Sequence, residues 1–436
     1  MRGQKLYKKT CERIPGGTQL LSKRPEMFLP EIWPAYYKEA KGATVTDLDG
    51  KTYTDMSHFG IGACTLGYAD EDIDNAVIDA IHKGVASTLN CPEEYDLAES
   101  LCKIHPWTDM VRYCRSGGEA TSMAIRIARA MTGRDKVAFC GYHGWCDWYL
   151  AANLSDNKAL DGQLLPGLQP KGVPRGLSGT AIPFHYNQVQ ELEEIISEDE
   201  DGIAAIIMEP IRDTLPKSGF LESVKKIAES VDAILIFDEI SSGFRMNTGG
   251  IHMRMGVTPD MAVFAKAMAN GYAMAAVIGR EEVMNAAQST FISSTNWTER
   301  IGPVAALATI EKYGDHDVPA HLIKIGNEIQ NGWKEAGEEN DIAITVSGIP
   351  PLSKFHFMCE DEMACSTYFT QEMLERSFLA KPLFYSSYAH NKEHVAGYLE
   401  AVHEIFGTLK KITDAGDIRE HLQGPPAHQG FYRLTN

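Results

Sequence analysis

The chain is expected to fold as an α/β protein, with a mostly parallel central sheet flanked by helices and a smaller α+β domain at its C-terminal end. Three observations predict this. The apolar runs Ile203–Met208, 233–237 and 261–265 are continuous rather than alternating, which is the pattern of strands buried on both faces. Each run stops on a charged residue, Glu209, Asp238 and Lys266 in turn, so core strands deliver reactive groups to one edge of a sheet. Stretches of helical spacing stand between strand-like runs, and 436 residues are too many for one ordinary core.

Composition narrows the function. Acidic residues outnumber basic ones, 59 to 41, for a net charge of −18. That excess argues against nucleic acid or an anionic membrane as the partner. Nine cysteines are scattered from Cys11 to Cys365 without a CxxC pair, which suits a reducing, cytoplasmic compartment and offers no zinc framework or other metal site. The basic start MRGQKLYKKT runs into no apolar segment, so neither a secretory signal nor a membrane span is expected.

In chain order, residues 1–40 read as irregular, with Pro15-Gly16-Gly17 and later prolines. A hairpin over 43–56 turns at Asp49-Gly50, a dipeptide that supplies the positive φ of a tight turn. The glycine-rich piece 57–67 follows; its bare backbone could approach a ligand closely, and an ordinary loop reads almost as well. Helices are expected over 73–84 and Glu93–Ile104. The strand Met110–Cys114 then leads through Arg115-Ser116-Gly117-Gly118-Glu119 into a helix that ends near Gly133. A strand, a glycine turn and a helix N-terminus together present free N–H groups and the positive end of a dipole, a geometry suited to a phosphate monoester.

A strand over 137–140 leads to Gly141-Tyr142-His143-Gly144, residues 151–183 read as a long surface loop, and 198–201 as an acidic, solvated one. Beyond Lys266, the run 293–300 precedes a helix at 303–313. From about 316, helices (321–337, 394–409) alternate with short strands (343–347, 355–358), and 416–436 carry no motif. The expected division is an arm with the hairpin's start (1–50), a large domain (51–315) and a small domain (316–436) that packs with the N-terminal segment.

On residue types alone, Asp238 and Lys266 could be a structural ion pair or a catalytic acid and amine. Longer matches surround them: FDEISSGFR at 237–245, GVTPD at 256–260, SGGEATSMAIRIARAMTGRDK at 116–136, YHG at 142–144 and EP at 209–210. Over roughly residues 30–410 the sequence resembles the class III aminotransferases, pyridoxal-phosphate (PLP) enzymes of fold type I, near glutamate-1-semialdehyde 2,1-aminomutase and its aminotransferase relatives. The resemblance implies that Lys266 holds PLP as a Schiff base and moves the substrate proton, while Asp238 keeps the pyridine nitrogen charged. It also implies that Tyr142 and Ile240 sandwich the ring, that Glu209 lies at the same edge, and that Ser116, Gly117 and Gly118 hold the phosphate. Gly118 stands where the family carries a hydroxyl residue.

Thr295, with Thr298 in reserve, is implied to reach the phosphate of the neighbouring subunit in a homodimer with shared active sites. His58, Phe59 and His143 are candidates on the substrate side. Arg212, just past Glu209-Pro210, is a candidate for an anionic substrate group, because a guanidinium suits a carboxylate or phosphate. The partners are then a small amino donor and an oxo acceptor. Aminomutases carry a longer Phe-Glu-Ala-Gly-type stretch with a gating glutamate where this chain has Phe384-Tyr385-Ser386-Ser387-Tyr388-Ala389-His390, so transamination is favoured over intramolecular transfer. A non-catalytic relative of the fold is disfavoured because lysine, acid and stacking tyrosine are all present.

Overall fold

The computed structural model describes residues 1–163, 166–211 and 213–428; Arg212 therefore lies outside the described residues. The chain divides into two compact units, Glu71–Pro319 and Met1–Asp70 with Ala320–Asn436. Residues 51–70, expected in the large domain, group with the N- and C-terminal segments.

The Glu71–Pro319 unit is built on a seven-stranded sheet in the order Met110–Cys114, Ala275–Gly279, Met261–Phe264, Ile234–Asp238, Ile203–Met208, Lys136–Cys140, Ala181–Pro183. The last five are mutually parallel. Ala275–Gly279 is antiparallel to both of its neighbours. Met110–Cys114 therefore points the same way as the parallel strands, and the residues that follow every strand but one emerge on a single edge. Ser116, Gly141, Glu209, Asp238 and Lys266 all come to that edge.

Each position of Ile203–Met208 and Ile234–Asp238 is buried, because the sheet is covered on both faces. Ala205, Ile207, Ile236 and Val263 share one core with Ala124 and Ile127 of the helix Gly117–Thr132. Ile206, Met208, Leu235 and Phe237 share another with Phe220 and Val224 of the helix Phe220–Ser230. A side-chain period of two on a doubly covered sheet leaves no polar face, which is the physical reason the strand runs read as continuous. The helix Gly117–Thr132 ends at Gly133, whose φ of 70° supplies the left-handed cap that a side chain would disfavour.

The other unit opens with a helix, Arg2–Cys11, where an irregular arm was expected. Its Tyr7 is buried, and Lys8 and Lys9 sit in the last turn, where cations favour the negative end of the dipole. The hairpin forms from Thr44–Asp47 and Thr52–Asp55, and Asp47 Oδ1 accepts the N–H groups of Asp49 and Lys51 to close its turn. A three-stranded sheet of Ile344–Ser347, Leu352–Phe357 and Leu383–Tyr385 is also present. Phe355 and Phe357 from it share a core with Phe369 of the helix Glu362–Glu375 and with Tyr398 and Phe406 of the helix Lys392–Ala415.

One buried histidine in each unit is fixed in its neutral form by its neighbours. His105 Nδ1 donates to Leu101 O at 2.9 Å, and its Nε2 accepts the Gly250 N–H at 2.9 Å. His390 accepts the Ser387 N–H on Nδ1 at 3.0 Å and donates from Nε2 to Asp55 O at 2.8 Å. A second proton would set N–H against N–H. Burial holds His105 down to about 4 and His390 down to about 3. The unfolded chain takes up these protons near pH 6.5, so the stabilisation is fully present above that pH and is lost as pH falls toward 4 and 3, by about 1.4 kcal/mol for each tenfold difference in proton affinity between the folded and unfolded chain. His105→Gln should be less stable than the parent at pH 7 yet lose less between pH 6.5 and 4.5 in urea unfolding. Parallel stability curves for the two proteins would assign the acid sensitivity elsewhere.

Candidate active site

The strand Ile234–Asp238 ends in the turn 238–241, and each residue of that turn engages a different partner. Asp238 is 2% exposed; its Oδ1 accepts the Ile240 N–H at 3.0 Å and its Oδ2 lies 2.7 Å from His143 Nδ1. His143 Nε2 lies 3.1 Å from the Cys140 carbonyl oxygen. Both ring nitrogens thus face oxygens, the Cys140 carbonyl taking the Nε2 proton and Asp238 Oδ2 sharing a proton with Nδ1, so the ring is held between the two. Trp148 stacks at 6.1 Å from the His143 ring and Tyr149 meets it edge-on at 5.8 Å, which closes the pair off from water. His143, expected among the substrate residues, is instead buried with both nitrogens engaged.

Glu239 points the other way. Its carboxylate accepts the His252 backbone N–H at 3.0 Å and His252 Nδ1 at 2.8 Å, together with the Ser242 hydroxyl. Trp107 Nε1 donates to His252 Nε2 at 3.0 Å, which leaves the imidazole proton on Nδ1 for the carboxylate. Burial alone would raise the Glu239 pKa, but these donors hold it below the usual carboxylate range. Of the two adjacent acids, Glu239 is a structural brace and Asp238 is the one left at the sheet edge.

Ile240 packs on the glycine turn: a Cβ built on Gly117 would lie 2.9 Å from its Cδ1, so a side chain there would push the isoleucine tip aside. Ser241 Oγ accepts from Lys266 Nζ at 2.8 Å. Lys266 starts the short turn Lys266–Ala269 with a φ of 47°, a left-handed conformation that costs a non-glycine residue of order 1 kcal/mol. Across the edge, Glu209 Oε2 accepts the Tyr142 N–H at 3.1 Å. A Cβ on Gly141 would stand 2.6 Å from that same oxygen, so Gly141 is what lets the carboxylate clamp the backbone that carries Tyr142 and His143.

At the phosphate candidate, Ser116 Oγ donates to Glu119 Oε2 at 3.0 Å, and the Arg115 N–H reaches the same oxygen at 3.0 Å. The Ser116 hydroxyl is therefore engaged within the turn, and the N–H groups of the first helical turn, from Gly117 onward, are the donors left to an anion. Thr295 and Thr298 bound a short turn, both exposed, with Thr298 Oγ1 donating to Thr295 O at 3.1 Å. Trp297 Nε1 reaches Glu119 Oε1 at 3.2 Å and Arg115 pairs with Glu299 at 3.0 Å, which ties this segment to the start of the helix.

In the other unit, Phe59 is 2% exposed and stacked on Tyr68 at 4.4 Å, an interior packing position rather than a wall for substrate. His58 meets Phe28 and Tyr385 edge-on at 5.6 and 5.7 Å, and burial followed by the nearby Lys381 holds its pKa well below the ordinary histidine value.

Amine, backed carboxylate, aromatic and apolar side chains, and a glycine-lined helix start on one strand edge define a cofactor-binding α/β enzyme, and the donor set fits PLP. The family model for aminotransferase class-III matches residues 30–375. A 3-aminobutyryl-CoA aminotransferase of Cloacimonas acidaminovorans (strain Evry) is 34% identical over 426 residues, which is 94% of this chain and 98% of that protein. The FumI protein of Sphingopyxis sp. MTA144, solved in its PLP internal aldimine form, superposes with a TM-score of 0.86 at 22% identity and 98% and 99% coverage of the two chains. A glutamate-1-semialdehyde-aminomutase from Pseudomonas aeruginosa PAO1 gives 0.78 at 20% identity, covering 94% of each chain. At those identities the two structures speak for the fold. The chain belongs to the class III aminotransferases, a PLP-dependent family of transferases.

Sequence reading named the groups at strand ends but not their partnerships. His143 and Asp238 are 95 residues apart, and no local pattern links them. Ser241 was available only as one of two serines inside the FDEISSGFR match.

The His143–Asp238 contact can be tested in the apoprotein. His143→Leu strands a buried carboxylate and should cost about 3–5 kcal/mol in urea unfolding, whereas adding Asp238→Leu replaces the pair by apolar side chains and should recover most of that loss. Additive losses in the double variant would show that the two residues do not act as a pair.

Proposed function

We propose that this chain moves an amino group between a small amine donor and an oxo acceptor, with Lys266 as the amine that holds PLP and the group that shuttles the substrate proton. The observation that carries this is the Lys266 Nζ contact to Ser241 Oγ, which sets the amine three residues along the turn from the backed carboxylate of Asp238. PLP when bound supplies the electron sink. Asp238 would face its ring nitrogen, held in place from behind by His143 at 2.7 Å, and would act electrostatically on that nitrogen. Lys266 Nζ would take a proton from the substrate carbon and deliver it to the cofactor side, while the hydroxyl of Ser241 positions the amine. Tyr142 and Ile240 would flank the ring, and the N–H groups of the Gly117–Thr132 helix would take the phosphate.

The relative at 34% identity supports a donor whose amino group lies β to a carbonyl, as in a 3-aminoacyl thioester. The segment 384–390 carries no carboxylate to hold an intermediate for return to a neighbouring carbon, which supports release of an oxo product over intramolecular transfer. A homodimer in which Thr295 serves the neighbouring site is part of the same reading, supported by the exposure of that turn. A cytoplasmic location is supported by nine cysteines that are all free thiols.

Incubating the PLP-loaded enzyme with 3-aminoacyl thioesters, free β-amino acids and α-amino acids, and following the cofactor's visible absorbance, tests the donor class. Rapid conversion by the β-amino compounds is expected; conversion by α-amino acids alone would overturn the donor assignment. Lys266→Ala should keep the far-UV circular dichroism and lose at least about 10²–10⁴-fold in turnover, the share owed to a positioned proton-transfer group. Retention of the parent rate would reduce Lys266 to a strand-end cation.

A further inference from the structure

The start of the helix Gly117–Thr132 has no side-chain donor at Gly118, and the structure shows what stands in the space a side chain there would fill. A Cβ built on Gly118 would lie 3.3 Å from both Cδ1 and Nε1 of Trp145. A hydroxyl carried on residue 118 would sit one bond beyond that Cβ, so the indole N–H occupies the neighbourhood of the missing group. We propose that Trp145 is a positioning residue for the cofactor, its Nε1–H donating to the PLP phosphate in place of a side-chain hydroxyl at position 118. The proposal rests on the cofactor site described above.

The backbone is built for this placement. Gly144 has a φ of 104°, and a Cβ on it would stand 3.0 Å from Gly118 Cα. Two glycines therefore meet face to face, and the chain between His143 and Cys146 lies directly on the first helical turn. Contacts on both sides of Trp145 hold it there. Thr121 Oγ1 donates to His143 O at 2.8 Å, and Cys146 Sγ donates to Gly118 O at 3.4 Å. A side chain at 118 would press against the indole, so Gly118 and Trp145 share one space.

The electrostatics agree. The carboxylate in this first turn, Glu119, is folded back onto the Arg115 N–H, the Ser116 hydroxyl and Trp297 Nε1. The Ser116 hydroxyl is thereby engaged, which leaves backbone N–H groups and the indole as the donors facing an anion. Trp145 is 71% exposed, an unusual position for an indole whose role is packing alone.

Apoprotein titrated with PLP and with pyridoxal, followed by the visible absorbance of the bound cofactor, separates the phosphate contact from ring packing. Trp145→Phe keeps the aromatic surface and removes only the N–H. It should weaken PLP about tenfold or more, the usual worth of a hydrogen bond to a charged group, and leave pyridoxal affinity unchanged. Gly118→Thr in a Trp145→Ala background should restore PLP affinity relative to Trp145→Ala alone. An unchanged preference for PLP over pyridoxal in Trp145→Phe, with the preference present in the parent, would overturn the role of Trp145. A parent protein with no such preference would instead overturn the phosphate site itself.

Discussion

A carboxylate buried at the end of a core strand must keep its charge without water, and the edge of the large sheet is organised around that requirement. Asp238 is buried, and a lone ionised group in such a place would cost several kcal/mol in lost solvation. His143 supplies the compensating hydrogen bond at 2.7 Å, and Cys140 O takes its other nitrogen and so fixes the ring. Glu209 in turn fixes the backbone of Tyr142 beside it, and glycine at 141 is what lets Glu209 come close. Three strand ends, Cys140, Met208 and Asp238, are thus bound into one electrostatic unit before any ligand arrives.

The neighbouring acid shows how the same chemistry is kept out of the site. Asp238 and Glu239 differ by one position, and the chain turns them to opposite partners: the His143 imidazole for Asp238, and the His252 imidazole with a hydroxyl and a backbone N–H for Glu239. The role of each far nitrogen follows from its partner. His143 presents its far nitrogen to a carbonyl, which must accept; His252 presents its own to Trp107 Nε1, which must donate.

Much of this was legible in the sequence, for reasons that can be stated. Strands covered on both faces cannot alternate, so Ile203–Met208 and Ile234–Asp238 announce themselves as apolar runs that stop on acids. Ala275–Gly279 did not, since two alanines and a glycine in five residues make a weak strand signal, and its antiparallel insertion is decided by tertiary pairing. The helix Glu362–Glu375 was missed because it is buried on most of its surface, which erases the polar face that marks a helix in sequence. In the site, residue types at strand ends were readable one by one. What was not readable is which polar group takes which: the Ser116 hydroxyl, expected to face phosphate, is taken by Glu119 three residues on, and Phe59 turns inward onto Tyr68.

That engaged hydroxyl has its own logic. A helix start shaped for an anion is an array of N–H groups and a positive dipole end, and without ligand it is costly to leave unsatisfied. Glu119 places a negative charge in the first turn, which stabilises the empty helix, yet the same charge would repel a phosphate if it stayed exposed beside it. Donors from Arg115, Ser116 and Trp297 resolve the conflict by drawing the carboxylate back onto the turn. The ligand-facing side is then left with neutral N–H donors whose field is only partly offset, so the helix can stand formed in the apoprotein and still attract an anion. Arg115 adds to this through its guanidinium, which is drawn off to Glu299 at 3.0 Å and so ties the 295–299 segment to the helix without placing a fixed counter-charge where the phosphate would sit.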